Sequence, residues 1–157
     1  MLEIHADGPL ILYFRKRQDL TMLKIAVIDG QGGRLGALTV AAVKEAKDIE
    51  CEIYAIGTNS IATSAMMKAG ADFGATGENS VKVVCRDADY IVGPIGIVSA
   101  DSLLGEITPD MAVAIGQSRA VKFLIPINQC NNRVVGVQKL SMSDMIKEVV
   151  ENLRADL

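Results

Sequence analysis

No tryptophan occurs in these 157 residues, aromatic side chains make up only 4% of them, and there is a single histidine, His5. Everything after residue 5 therefore lacks imidazole, the commonest general base and metal ligand. Cys51, Cys85 and Cys130 stand far apart with no C-x-x-C spacing, so neither a disulfide framework nor a zinc site is indicated. Apolar residues reach 50%, yet the longest unbroken apolar runs are a few residues, far short of the roughly 20 that span a bilayer. No basic region leads into a long apolar stretch and a small-residue cleavage site, so nothing marks the chain for secretion and the cytoplasm is the expected location. The net charge of -3 is mild, and Arg15-Lys16-Arg17 is balanced by Glu3, Asp7 and Asp19. Neither nucleic acid nor a membrane is an expected partner.

The length is that of one domain, and the apolar content is ample for one packed core. Residues 1–21 stand apart as an N-terminal extension, because the chain reads as beginning again at Met22. Two readings are open there: Met22 as the natural start, or a leading strand over Leu10 to Phe14. From Leu23 onward, strand-like and helix-like stretches alternate. Lys24 to Asp29 is apolar enough for a central strand buried on both faces. Leu35, Leu38, Ala42, Val43 and Ala46 then recur on one face of a helix running to about Lys47. Glu52 to Ile56 predicts a second strand, followed by Gly57-Thr58-Asn59-Ser60 and a helix that stops at Gly70. Asp72 to Ala75 is a weak third strand, with Thr76 as the cap of the next helix.

Tyr90 to Val92 predicts a fourth strand ending at Gly93-Pro94. Thr108-Pro109-Asp110 is a strong helix start, joining a capping hydroxyl, a first-turn proline and an acid on the positive helix end. Val121 to Ile127 predicts a fifth strand, Asn128 to Asn132 a turn-rich link, Arg133 to Val137 a sixth strand, and Ser143 to about Arg154 the closing helix. The expected fold class is α/β: a single domain with a mostly parallel sheet of five to six strands and helices on both faces. Right-handed crossovers then bring the polar, glycine-rich segments after the first, second and fourth strands to one edge, where ligands bind in such sheets.

Within KIAVIDGQGGRLG, Gly30, Gly33 and Gly36 give G-x-x-G-x-x-G with Gly32 as an extra, a spacing that resembles short-chain, epimerase-type nucleotide folds. Gly30 permits the tight turn. Gly32 and Gly33, with Gln31 and Arg34 beside them, let backbone N–H groups approach an anion at the helix start, and Gly36 lets helix and strand pack closely. The competing reading is that the glycines only turn the chain. A carboxylate introduced by Gly33→Asp separates the two, because it should abolish binding in one and only lower stability in the other. The acid that holds the ribose of a nicotinamide cofactor, about 20 residues on, is absent; Gly57-Thr58-Asn59 stands there instead. Thr58, Asn59 and Ser60 are candidates to hold a sugar, with helix capping as their alternative role. Gly93 and Pro94 complete the candidate set. Asp29 would repel a nearby phosphate unless a metal ion or Arg34 intervenes.

Catalytic groups are few. None of Tyr13, Tyr54 and Tyr90 has a lysine four residues on, so the Tyr-x-x-x-Lys pair of short-chain dehydrogenases is missing. Glu78 and Glu106 read as helix-dipole partners, Cys130 as structural, Lys68 as a solvated C-terminal cation, and Met66 and Met67 as packing. Asp101 and Ser102 lie in the long link Ile95 to Ile107, either a lid over the site or an ordinary loop.

The strings KIAVIDGQGG, AIGTNSIATSAMMKAGAD with ATGENS, IVGPIGIV, LLGEITPDMA and LIPINQCN resemble a bacterial family, domain of unknown function 3842. The resemblance runs from about Met22 to the C-terminus and implies a small stand-alone Rossmann-like protein, without an activity to assign to particular residues. The expected function is binding of a nucleotide, dinucleotide or related phosphorylated ligand through the glycine-rich loop, with the cofactor left open, NAD(P) or another nucleotide being among the candidates, and a homo-oligomer as the expected assembly. One alternative is a regulatory or structural subunit acting through protein contacts. Another is a small Mg-dependent enzyme that uses Asp29 on a phosphorylated substrate.

Overall fold

The structure is a computed structural model and describes residues 22–127 and 131–157. Its centre is β1 (Leu23–Asp29), whose side chains alternate between two cores. Ile25 and Val27 enter one, Ala26 and Ile28 the other, and all four are 0% exposed. That burial on both faces is why the segment reads as a continuous apolar run. Each such isoleucine contributes about 1.5–3 kcal/mol by leaving water.

β2 (Cys51–Gly57) and β4 (Tyr90–Pro94) lie parallel to β1 on either side; β3 (Phe73–Thr76) extends the sheet beyond β2 and β5 (Val121–Ile125) beyond β4. The order is 3-2-1-4-5 with all strands parallel. α1 (Arg34–Glu45), α2 (Ser60–Lys68) and α5 (Met142–Asp156) cover one face through Val40, Val43, Met66, Val150 and Leu153. α3 (Glu78–Val84) and α4 (Pro109–Gln117) cover the other through Val81, Met111 and Ile115. This is the doubly wound, Rossmann-like arrangement. The order in which strands are added reverses between β1 and β4, where a crevice opens at the carboxyl ends of the strands.

Local signals account for most boundaries. Thr108 Oγ1 accepts from the Met111 N–H at 3.2 Å, with Pro109 in the first turn of α4. Ser141 Oγ accepts from the Asp144 N–H at 3.1 Å and starts α5. Four expectations need correction. Thr76 ends β3 and caps nothing; Gly77, at φ 95, occupies the cap position of α3. Leu38 is 43% exposed, and Thr39 and Val40 take the inward face of α1. β5 stops at Ile125 because Pro126 has no N–H for a ladder.

The expected sixth strand over Arg133 to Val137 does not form, so the sheet among the described residues has five strands. A turn at Val135-Gly136, with Gly136 at φ 85, bends the run before it can pair. Leu10 to Phe14, His5 and Cys130 lie outside the described residues. Also among the described residues, no helix is long and apolar enough to cross a membrane.

Candidate functional site at the carboxyl edge of the sheet

The register of β1 against β2 sets Asp29 beside Gly57, so the loops after these strands start level with each other. They are tied at once: the Thr58 N–H donates to Asp29 O at 3.0 Å, and Asn59 Nδ2 donates to Gln31 O at 3.0 Å.

The glycine loop is knitted from inside by Asp29, which is 6% exposed. Its Oδ1 accepts from the Gly30 N–H at 2.8 Å and its Oδ2 from the Gly36 N–H at 2.7 Å. Burial pushes this carboxyl above its usual range and the charge of Glu106 adds to that, against the two backbone hydrogen bonds. Both oxygens are thus engaged by the backbone. Among the described residues, no three His, Cys, Asp or Glu side chains come together in a way that would hold a metal ion.

The glycines divide into different roles. Gly33 sits at φ 69, and a Cβ there would lie 2.6 Å from Ala62 Cα, so it lets the start of α1 rest on the backbone of α2. Gly36 is enclosed by Met66 and Asp29. Gly32 faces open space, with nothing within 4 Å of an added Cβ. Gly33→Asp therefore disrupts packing whatever the loop binds, and Gly32→Asp is the informative substitution.

A cavity of about 230 Å³ opens on the β4 side of the loop. Gly30 to Leu35 line it from one side, Pro94 and Gly96 from the end of β4, and Leu103, Ile127 and Met142 close it with apolar surface. Among the described residues, the N–H groups of Gly32, Arg34 and Leu35 donate to no protein acceptor, and the exposed Arg34 side chain makes no ion pair. Unpaired N–H groups at the first turn of a twelve-residue helix carry partial positive charge, which Arg34 reinforces.

The β2 side is closed by a residue that sequence reasoning had read as a dipole partner. Glu106, from the link between β4 and α4, reaches back across the sheet edge. Its Oε2 accepts from the Gln31 N–H at 2.8 Å, from Asn59 Nδ2 at 3.1 Å, and from the Thr58 hydroxyl at short range. Burial draws this carboxyl upward, but the hydrogen bonds from Thr58, Gln31 and Asn59 outweigh it and hold the group below its usual range. The absent acid at the end of β2 was the one available sign, since polar donors without a carboxylate leave room for one from elsewhere.

The remaining candidates separate. Asn59 Oδ1 also caps α2, accepting from the Ala62 N–H at 2.9 Å. Ser60 is the exposed first residue of α2 and stands outside the cavity. Gly93 is buried, and any Cβ there would strike Ile28 O, so its role is close packing of β4 on β1. Pro94 lines the cavity. Glu78 accepts from the Thr108 hydroxyl at 2.7 Å and pairs with Lys82, away from the loop. Of the link residues, Leu103 lies over the cavity, while Ser102 Oγ donates to Gly96 O and holds the link together.

The sequence model of the family described as Domain of unknown function (DUF3842) matches residues 24–157, and the chain belongs to that family. No curated protein matches it. Among solved structures it is similar to a nucleoside-diphosphate-sugar epimerase from Pseudomonas aeruginosa, at 15% identity and a TM-score of 0.40. The match covers 87% of this chain and 48% of the epimerase, so the chain spans about half the length of that structure.

Proposed function

We propose that this member of the DUF3842 family binds a phosphorylated small molecule of the nucleotide class, with a phosphate at the start of α1. The observation that carries the reading is the cavity at the β1–β4 switch point, where the N–H groups of Gly32, Arg34 and Leu35 and the Arg34 side chain, all without a partner among the described residues, come together. Helix N-termini with free N–H groups favour anions, and switch-point crevices are where ligands of open α/β sheets bind. Size narrows the choice. About 230 Å³ falls below the roughly 300–1,000 Å³ of ordinary small-molecule pockets, so it takes a phosphate and a small adjoining group. The nucleoside lies outside it, toward Thr58 and Asn59.

Thermal unfolding against pyrophosphate, ADP, NAD(H) and NADP(H), with and without Mg²⁺, tests this. A ligand at a hundred times its Kd adds roughly 2.7 kcal/mol of stability. The stabilisation should vanish in Gly32→Asp, whose carboxylate enters open space beside the free N–H groups. No stabilisation by any of these ligands, or one that survives Gly32→Asp, overturns the reading.

A second reading, a regulatory or structural subunit that self-associates, draws on the open sheet edges. Among the described residues β3 and β5 each lack a neighbour on one side, and Phe73 on β3 is 47% exposed. Sedimentation of the wild type and Phe73→Lys checks it: a dimer that the lysine dissociates supports contact through β3.

A further inference from the structure

We propose that the link from Ser99 to Ile107 is an autoinhibitory latch, in which Glu106 occupies the donors that the sugar or second phosphate of the ligand would otherwise take. The inference rests on the phosphate-site reading and concerns how access to that site is controlled. Three neutral donors from two loops, the Gln31 N–H, the Thr58 hydroxyl and Asn59 Nδ2, converge on one oxygen of Glu106. No cation accompanies them: among the described residues Glu106 forms no ion pair, and the unpaired Arg34 lines the cavity on the other side of the loop. Donors arranged in this way suit a ligand oxygen equally well, and the carboxylate excludes it. The fit is close, because a Cβ on Gly30 would lie 2.7 Å from both Glu106 Oε2 and Thr58 Oγ1. Glu106 also raises the electrostatic cost of any anion brought beside Asp29.

The segment carrying Glu106 is built to be held rather than to rest. Asp101, Leu103 and Leu104 have φ values of 62, 54 and 56, and Gly105 follows at 88. Left-handed backbone at three non-glycine residues is strained, and persists only where the surroundings enforce it. Here the link is closed by its own hydrogen bonds: the Asp101 N–H donates to Ile107 O at 2.8 Å, the Gly105 N–H to Asp101 O and Ser102 O at 3.2 Å, the Glu106 N–H to Leu103 O at 3.2 Å and the Ile107 N–H to Ser102 O at 3.2 Å, while Ser102, Leu103 and Ile107 are buried and Glu106 makes the clasp. Leu104 is 99% exposed, so its left-handed conformation is held by the hydrogen bonds of the turn around it rather than by packing of its side chain. Releasing Glu106 frees the three donors and removes the hydrogen bonds that tie the strained turn to the loops after β1 and β2. The cavity beside α1 then continues over Gly30 toward Thr58 and Asn59. A closed majority state lowers apparent affinity by the fraction of molecules that are open.

Two variants move the latch in opposite directions. Glu106→Gln leaves one acceptor oxygen but removes the charge that strengthens the three bonds, and so loosens it. Leu104→Asn relieves left-handed strain at an exposed position outside the site and closes it, since asparagine tolerates that conformation. Calorimetric titration with ADP should show binding about tenfold tighter in Glu106→Gln and several-fold weaker in Leu104→Asn. Without ligand, amide hydrogen exchange at Gln31 should be faster in the first and slower in the second. If wild type binds ADP but Glu106→Gln binds it equally or more weakly, the latch is refuted and the phosphate site stands. If neither protein binds ADP or pyrophosphate, the phosphate site falls and the latch with it. Gln31 exchange that is unchanged in both variants refutes the latch whatever binds.

Discussion

Two crevices flank the loop after β1, and they differ in how the chain treats its donors. On the β4 side, the N–H groups of Gly32, Arg34 and Leu35 donate to no acceptor among the described residues and lie around a cavity of about 230 Å³. On the β2 side, Glu106 gathers the Gln31 N–H, Thr58 and Asn59 onto one carboxylate. Both sets lie at the same sheet edge, yet one is open and the other is satisfied from within the chain. In the proposed reading the contrast separates binding from access: the open side holds the anion, and the closed side decides how much of a larger ligand can follow.

The comparison breaks most severely if the shared loop is deformed. Gly33→Asp places a side chain at φ 69 against the backbone of Ala62. Left-handed strain of about 1–2 kcal/mol and overpacking of about 1–3 kcal/mol should together lower stability by roughly 3 kcal/mol. Gly32→Asp should leave the denaturant midpoint almost unchanged. Asp29→Asn comes next. An amide accepts through only one atom, so the N–H of Gly30 or Gly36 loses its partner, and urea unfolding should show a loss of about 1–3 kcal/mol.

Arg34→Ala should change stability by no more than about 0.5 kcal/mol, yet weaken pyrophosphate binding roughly tenfold by calorimetry, as expected for loss of one charge-assisted contact. The smallest effect is one of pH. Glu106 titrates below its ordinary value of 4.5 in the folded protein. Its contribution to stability is therefore present above that value and lost as pH falls through the lower, folded one. The stability difference between wild type and Glu106→Gln should shrink on acidification below about 4.5. Asp29, raised from 3.8, has the opposite sign, losing stability as pH rises from that value through its folded one; being common to both proteins, it largely cancels in the difference.

What could be read from the sequence was what short-range chemistry determines. The apolar run of β1, the Thr108-Pro109-Asp110 start and the meeting of three polar loops at one edge each follow from local pattern or from crossover handedness. Gly32 and Gly33 are alike as letters and differ in what surrounds them, which only the packing of α1 on α2 decides. Arg133 to Val137 has strand-like residues, but a turn at Gly136 interrupts it. Glu106 was the least legible residue. Its reach depends on consecutive left-handed residues at Leu103 and Leu104, a conformation that leucine does not announce.

The most direct test of the account is an amide NMR titration of the protein with pyrophosphate. Saturable shifts at Gly32, Arg34 and Leu35, lost on Gly32→Asp, are the expected result. Shifts confined to other surfaces, or none at concentrations that saturate an ordinary phosphate site, would contradict an anion site at the start of α1.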